Sequence, residues 1–128
     1  MNKSDIIRAY FNGLEARSYE QVMSLFAQDA MVHSPLYGDV NAQQFYQELF
    51  AATESSVITL KNILVSTTNS HVAAAHFLYD WILKDGSPAP FECIDVFEFS
   101  DDNKIIDLKI IYDTYFIRGV FEAMAKGQ

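Results

Sequence analysis

Apolar and polar positions along the chain follow two periods, helical in the first third and strand-like afterwards. Ile6, Ile7, Tyr10, Phe11 and Leu14 recur at helical spacing and predict an amphipathic helix with Ser4 as its N-cap. Ser18-Tyr19-Glu20-Gln21 has the Ser-x-x-Gln form of a capping box and predicts a short second helix that buries Val22, Leu25 and Phe26. Ala30 to His33 reads as a brief strand ended by Ser34-Pro35, and Gly38 marks a turn. Asn41 is placed to cap a third helix, with Phe45, Tyr46, Leu49 and Phe50 on its buried side.

From Val57 onward, β-branched and aromatic residues alternate with polar ones. The predicted strands are Val57–Thr68, His71–Leu83, Phe91–Phe99 and Ile105–Tyr115. Asn69-Ser70, the Asp-Gly loop Lys84–Pro88 and Ser100–Asn103 supply the turns, and Ile117 to Lys126 predicts a short closing helix. Helices followed by a consecutive antiparallel meander predict an α+β fold in one domain spanning residues 1–128. One face of His71–Leu83 holds Ala73, Ala75, Phe77, Tyr79 and Trp81. One face of the last strand holds Ile106, Leu108, Ile110 and Tyr112, and the other holds Asp107, Lys109 and Asp113. A curved sheet over helices leaves a conical cavity, and Ala73 and Ala75 leave room in it. Most of these side chains read equally well as plain core.

Asp95 stands out from this pattern. Its face of the third predicted strand holds Phe91, Cys93, Phe97 and Phe99, while Glu92, Ile94, Val96 and Glu98 occupy the other. A carboxyl buried among apolar neighbours resists ionisation and, when protonated, donates a hydrogen bond. An Asp at a bulge or strand end would face water instead, and alternation alone does not separate the two.

Composition narrows the possible functions. The 128-residue chain carries 17 acids against 9 bases, a net charge of −8. No Lys/Arg cluster interrupts this acidity, so neither nucleic acid nor an anionic membrane surface is an expected partner. Cys93 is the single cysteine and reads as an inert core thiol, with no intramolecular disulfide. His33, His71 and His76 lack a metal-ligand spacing, no Gly-x-Ser-x-Gly or glycine-rich phosphate loop is present, and no metal or cofactor is expected. No apolar run approaches the ~18–20 residues that span a bilayer, and a cytoplasmic location is expected.

The run Tyr10-Phe11-Asn12-Gly13-Leu14, the stretch from Tyr19 to Pro35, Gly38 with Phe45-Tyr46, and Ile94-Asp95-Val96-Phe97-Glu98-Phe99 together resemble NTF2-like proteins, especially the ketosteroid isomerase and SnoaL-like branches. The resemblance covers Tyr10 to about Tyr115. It implies a cone of three N-terminal helices packed in a strongly curved, mostly antiparallel sheet. It also implies that Tyr10 and a protonated Asp95 serve as oxyanion donors, with Tyr46 supporting Tyr10. Phe77, Tyr79, Trp81, Leu108, Ile110 and Tyr112 match positions that line the family's pocket. The family's base, an aspartate directly before a proline, is here Ser34 before Pro35. A serine hydroxyl is too weak a base without activation.

The expected function is therefore a pocket that binds a small hydrophobic carbonyl compound through Tyr10 and Asp95. Isomerase or lyase chemistry would need a recruited base, His33 or a water held by Ser34. The alternative is a non-catalytic ligand-binding or dimerisation module. The face carrying Val72, Ala74, Leu78 and Ile82, interrupted by His76 and Asp80, is the expected surface for a homodimer.

Overall fold

The computed structural model describes residues 1–127. Helix α1 (Lys3–Glu15) is capped two residues earlier than the sequence suggests. Asn2, not Ser4, is the N-cap: its side chain accepts from the Asp5 N–H at 2.8 Å, and Asp5 accepts from the Asn2 N–H at 3.3 Å. Ser18 caps the short α2 (Tyr19–Met23), which ends before Leu25 and Phe26. Asn41 caps α3 (Ala42–Ala51) through a 2.8 Å bond from Gln44 N–H.

Strand β1 (Phe26–Ser34) is longer than the expected Ala30–His33, and a short β2 (Gly38–Asn41) folds back on it. Gly38 sits at φ +78°, a conformation other residues rarely adopt, which fits the turn read there. The meander follows as β3 (Thr53–Val65), β4 (Val72–Leu83), β5 (Phe91–Phe99) and β6 (Ile105–Ile111). β3 begins four residues before the predicted Val57, and β6 stops before Tyr112. The closing helix α4 (Tyr115–Lys126) starts two residues early.

All six strands form one sheet in the order β2-β1-β6-β5-β4-β3. β1 and β6 are parallel and every other pair is antiparallel. That parallel pairing joins segments some 75 residues apart and explains why β1 extends past its local signal. Register shifts interrupt the β1–β6, β3–β4 and β5–β6 ladders, and such bulges bend a sheet. The bulge between Glu98 and Phe99 also corrects one face assignment. Ile105, not Ile106, pairs with Phe99 and enters the core, while Leu108 and Ile110 remain on the inner face.

The concave face closes over α1, α2 and α3. Tyr10, Phe11, Phe97 and Phe77 interlock there by edge and tilted ring contacts at 4.6–6.4 Å. Trp81 Nε1–H donates to Thr53 Oγ1 at 2.9 Å, and that hydroxyl donates to Leu49 O at 2.6 Å, tying the end of α3 to β4. Edge strand β3 is covered where Glu15 of α1 accepts from the Ile58 N–H at 2.6 Å. On the convex face Ile94 and Ile111 are exposed beside the pair His76–Glu92.

Gly13 is where α1 meets α2. A Cβ placed there would lie 2.9 Å from Val22 Cγ2, which is fully buried on a stiff β-branched side chain. Replacing glycine by alanine inside a helix ordinarily gains about 1 kcal/mol, but overpacking costs about 1–3 kcal/mol. Gly13→Ala is expected to lower the urea midpoint, with a net loss of about 1 kcal/mol. An unchanged or higher midpoint would show that α2 yields freely.

Candidate functional site

Between the helices and the inner faces of β4, β5 and β6 lies a cavity of about 40 Å³. One water needs roughly 10–15 Å³, so the space holds a few waters and must widen to admit a ring compound. Tyr10, Leu14, Phe77, Cys93, Asp95 and Ile110 line it, together with Leu36, Tyr37, Trp81, Phe91 and Tyr112. Helix α4 packs on two of these residues: Phe121 stacks on Trp81 at 5.9 Å and meets Tyr37 edge-on at 5.4 Å, and Arg118 donates to Pro35 O at 2.8 Å.

Asp95 faces the cavity from the middle of β5, paired across the sheet with Ala75 and Ile110. It is 2% exposed, so the strand-end reading does not apply. Burial drives its pKa up to about 7, with partial relief from the Cys93 thiol, which donates to Oδ1 at 3.4 Å. Burial also holds the Cys93 thiol far above its ordinary value, so it stays protonated.

Tyr10 reaches the same cavity from α1, and its hydroxyl lies 2.6 Å from that of Tyr46 on α3. Tyr46 is off the cavity wall, behind Tyr10. When Tyr46 donates, the Tyr10 proton is left for the cavity. Both phenols are completely buried and pushed well above their ordinary pKa by desolvation, so both remain neutral.

Ser34 lines the cavity, but its Oγ accepts from the N–H groups of Leu36 and Tyr37, each at 3.2 Å. His33 points to the convex face, which removes it as a base for this cavity. There its Nδ1 meets Asp39 at 2.8 Å and its Nε2 meets Asp107 at 2.7 Å. The hydrogen bond to Asp39, then that to Asp107, raise its pKa. Leu108 is also displaced from its expected place. It pairs with Phe97 and Val32 in the core and does not line the cavity, whereas Phe77, Tyr79, Trp81, Ile110 and Tyr112 do.

The sequence reading missed Tyr37 and Phe45 as wall residues. Tyr37 lies in the turn between Pro35 and Gly38, where an aromatic reads as surface. Its hydroxyl is buried and makes no hydrogen bond among the described residues, an arrangement that costs roughly 1–3 kcal/mol. Burial keeps this phenol protonated, as it does Tyr79 and Tyr112. Among the described residues, no cluster of three or more His, Cys, Asp or Glu side chains is arranged to hold a metal, and no helix is long and apolar enough to cross a membrane.

The sequence profile of the SnoaL-like domain matches residues 7–108, most of the chain. The protein belongs to the SnoaL-like family. A search of curated proteins finds no significant match. Solved structures resemble this SnoaL-like chain closely in fold. TerC, co-crystallised with polyporic acid, superposes with a TM-score of 0.77 at 15% identity, covering 94% of this chain and 98% of TerC. An NTF2-like protein of unknown function from Exiguobacterium sp. 255-15 gives 0.74 at 19% identity, covering 84% and 98%. The epoxide hydrolase/cyclase-like enzyme SalBIII, which acts in pyran ring formation in salinomycin, gives 0.74 at 13% identity, covering 87% and 90%. At such identities the likeness establishes the fold, which is the NTF2-like cone, and leaves the chemistry to the site.

The raised pKa of Asp95 has a consequence for stability. The folded carboxyl, at about 7, binds its proton more tightly than the unfolded one at 3.8. The folded state therefore loses stability as pH rises through that window. Asp95→Asn mimics the protonated form at every pH. It is expected to be near neutral for stability at pH 4 and stabilising at pH 8, by up to about 4 kcal/mol at ~1.4 kcal/mol per pKa unit. Denaturant titrations at both pH values check this, and equal effects at the two would contradict the buried, protonated carboxyl.

Proposed function

We propose that this SnoaL-like protein binds a small apolar compound bearing a carbonyl or phenolic oxygen, and that Tyr10 and the protonated Asp95 donate to that oxygen. The observation that carries the reading is that one cavity is lined both by a buried carboxyl, with its pKa near 7, and by a neutral tyrosine backed by a second one. Two neutral donors aimed at one oxygen favour negative charge developing there, because no solvent has to reorganise around it. The apolar walls exclude water and strengthen both bonds. The co-crystallisation of TerC with polyporic acid, and the ring-forming role of SalBIII, support an organic ligand in the same fold.

A second reading adds chemistry. Among the residues lining the cavity, Asp95 is the only carboxyl, and a pKa near 7 suits a group that both takes and returns a proton at neutral pH. The ionised Asp95 would remove a proton from the carbon next to a bound carbonyl. Tyr10 would hold the resulting enolate oxygen, and the protonated Asp95 would return the proton. This reading assigns the base to neither Ser34, whose Oγ accepts two turn N–H groups, nor His33, which faces outward.

Both readings are tested with simple compounds. Affinity for 2-naphthol is expected to fall as pH rises through about 7, where Asp95 loses its donor proton. In Asp95→Asn that pH dependence should vanish while binding remains. Binding that is indifferent to pH in the native protein would exclude Asp95 as the donor. Exchange of the α-hydrogens of 2-tetralone in D₂O reports on proton transfer. Catalysed exchange should disappear in Asp95→Asn and drop roughly 10²–10³-fold in Tyr10→Phe. Binding without exchange would leave the non-catalytic reading standing.

A further inference from the structure

We infer that Tyr37 is a second polar anchor of the cavity, so that the ligand is an apolar molecule carrying a second oxygen besides the one that Asp95 and Tyr10 hold. The inference rests on the reading that Asp95 and Tyr10 hold the first oxygen.

Two buried hydroxyls, those of Tyr37 and Ser56, make no hydrogen bond among the described residues, and of these Tyr37 is the one that lines the cavity. A protein does not keep a buried hydroxyl unpaired without reason when phenylalanine would fill the same space. The ring of Tyr37 is fixed by edge contacts at 5.4 Å to both Phe45 and Phe121. Its backbone is fixed as well. Ser34 Oγ accepts from the N–H groups of Leu36 and Tyr37, and Arg118 holds Pro35 O. The residue at the position of the family's base thus positions Tyr37.

The two anchors reach the cavity from different elements, Asp95 from β5 and Tyr37 from the turn between β1 and β2. Phe121 bridges Tyr37 to Trp81, and Trp81 meets Phe91 edge-on at 6.3 Å. Phe91 stacks on Tyr112 at 4.0 Å and on Tyr79 at 5.1 Å, so aromatic rings make up the apolar wall beside the second anchor. Desolvation keeps the Tyr37 hydroxyl protonated, so it donates, and the second group of the ligand accepts as a carbonyl, ether or hydroxyl oxygen.

Calorimetric titration of 2-naphthol and 2,6-dihydroxynaphthalene tests this. The native protein is expected to prefer the diol roughly ten-fold, the value of one well-placed hydrogen bond. Tyr37→Phe should bind both compounds as the native protein binds 2-naphthol. It should also melt a few degrees higher without ligand, because an unpaired buried hydroxyl has been removed. A diol preference that survives in Tyr37→Phe would overturn the proposal, as would its absence from the native protein or a lower melting temperature of the variant. If 2-naphthol does not bind, or binds Asp95→Ala as well as the native protein, the Asp95 reading falls first and the second anchor with it.

Discussion

The desolvation of one carboxyl group shapes this protein more than any other single interaction. Asp95 sits in mid-sheet, where β5 is flanked on both sides and covered by helices, so bulk solvent does not surround it to stabilise a charge. Its strand neighbours Cys93 and Phe97 are also buried, and the partner across the sheet is Ala75. Ala75 and Ala73 do not line the cavity, contrary to the expectation from the sequence; the space open to the carboxyl is bounded by larger side chains, among them Tyr10, Phe77, Cys93 and Ile110. A buried polar group with room beside it is a binding site in physical terms, because a ligand that bonds to it recovers part of the desolvation cost.

The rest of the fold keeps that arrangement in place. Gly13 lets α1 and α2 approach closely, which sets the position of α1 and so of Tyr10. Tyr46 arrives from α3 to orient Tyr10, and the Trp81–Thr53–Leu49 relay fixes α3 against the sheet. Helix α4 rests on Trp81 and Tyr37 through Phe121, while Tyr115 and Phe116 at its start are 79% exposed. The helix is held by the buried Ile117 and Met124, by Phe121 and by the Arg118 bond, and its displacement would uncover Tyr37 and Trp81 on the wall of a cavity of about 40 Å³.

Local pattern carried much of this into view. Alternation placed Asp95 on its apolar face, and helical spacing placed Tyr10 and Tyr46 on buried stripes, because both depend only on neighbours a few residues away. Three features escaped for the opposite reason. The parallel β1–β6 pairing joins distant segments, so the true length of β1 has no local sign. The bulge after Glu98 shifts the face of Ile105 and Ile106 without any glycine or proline to announce it. Tyr37 reads as a turn residue and becomes a wall residue only because α4, almost 80 residues later, folds over it. The resemblance to ketosteroid isomerases supplied the pairing of Tyr10 with Asp95, and it also carried Leu108 to a wall it does not reach.

The proposed oxygen-binding site depends on the protonation state of one side chain, and that state is directly measurable. Carboxyl carbons labelled with ¹³C and followed by NMR against pH report each aspartate separately. With Asp95→Asn assigning the resonance, Asp95 is expected to titrate near pH 7. A midpoint near pH 4, in the ordinary range of a solvated aspartate, would contradict the account.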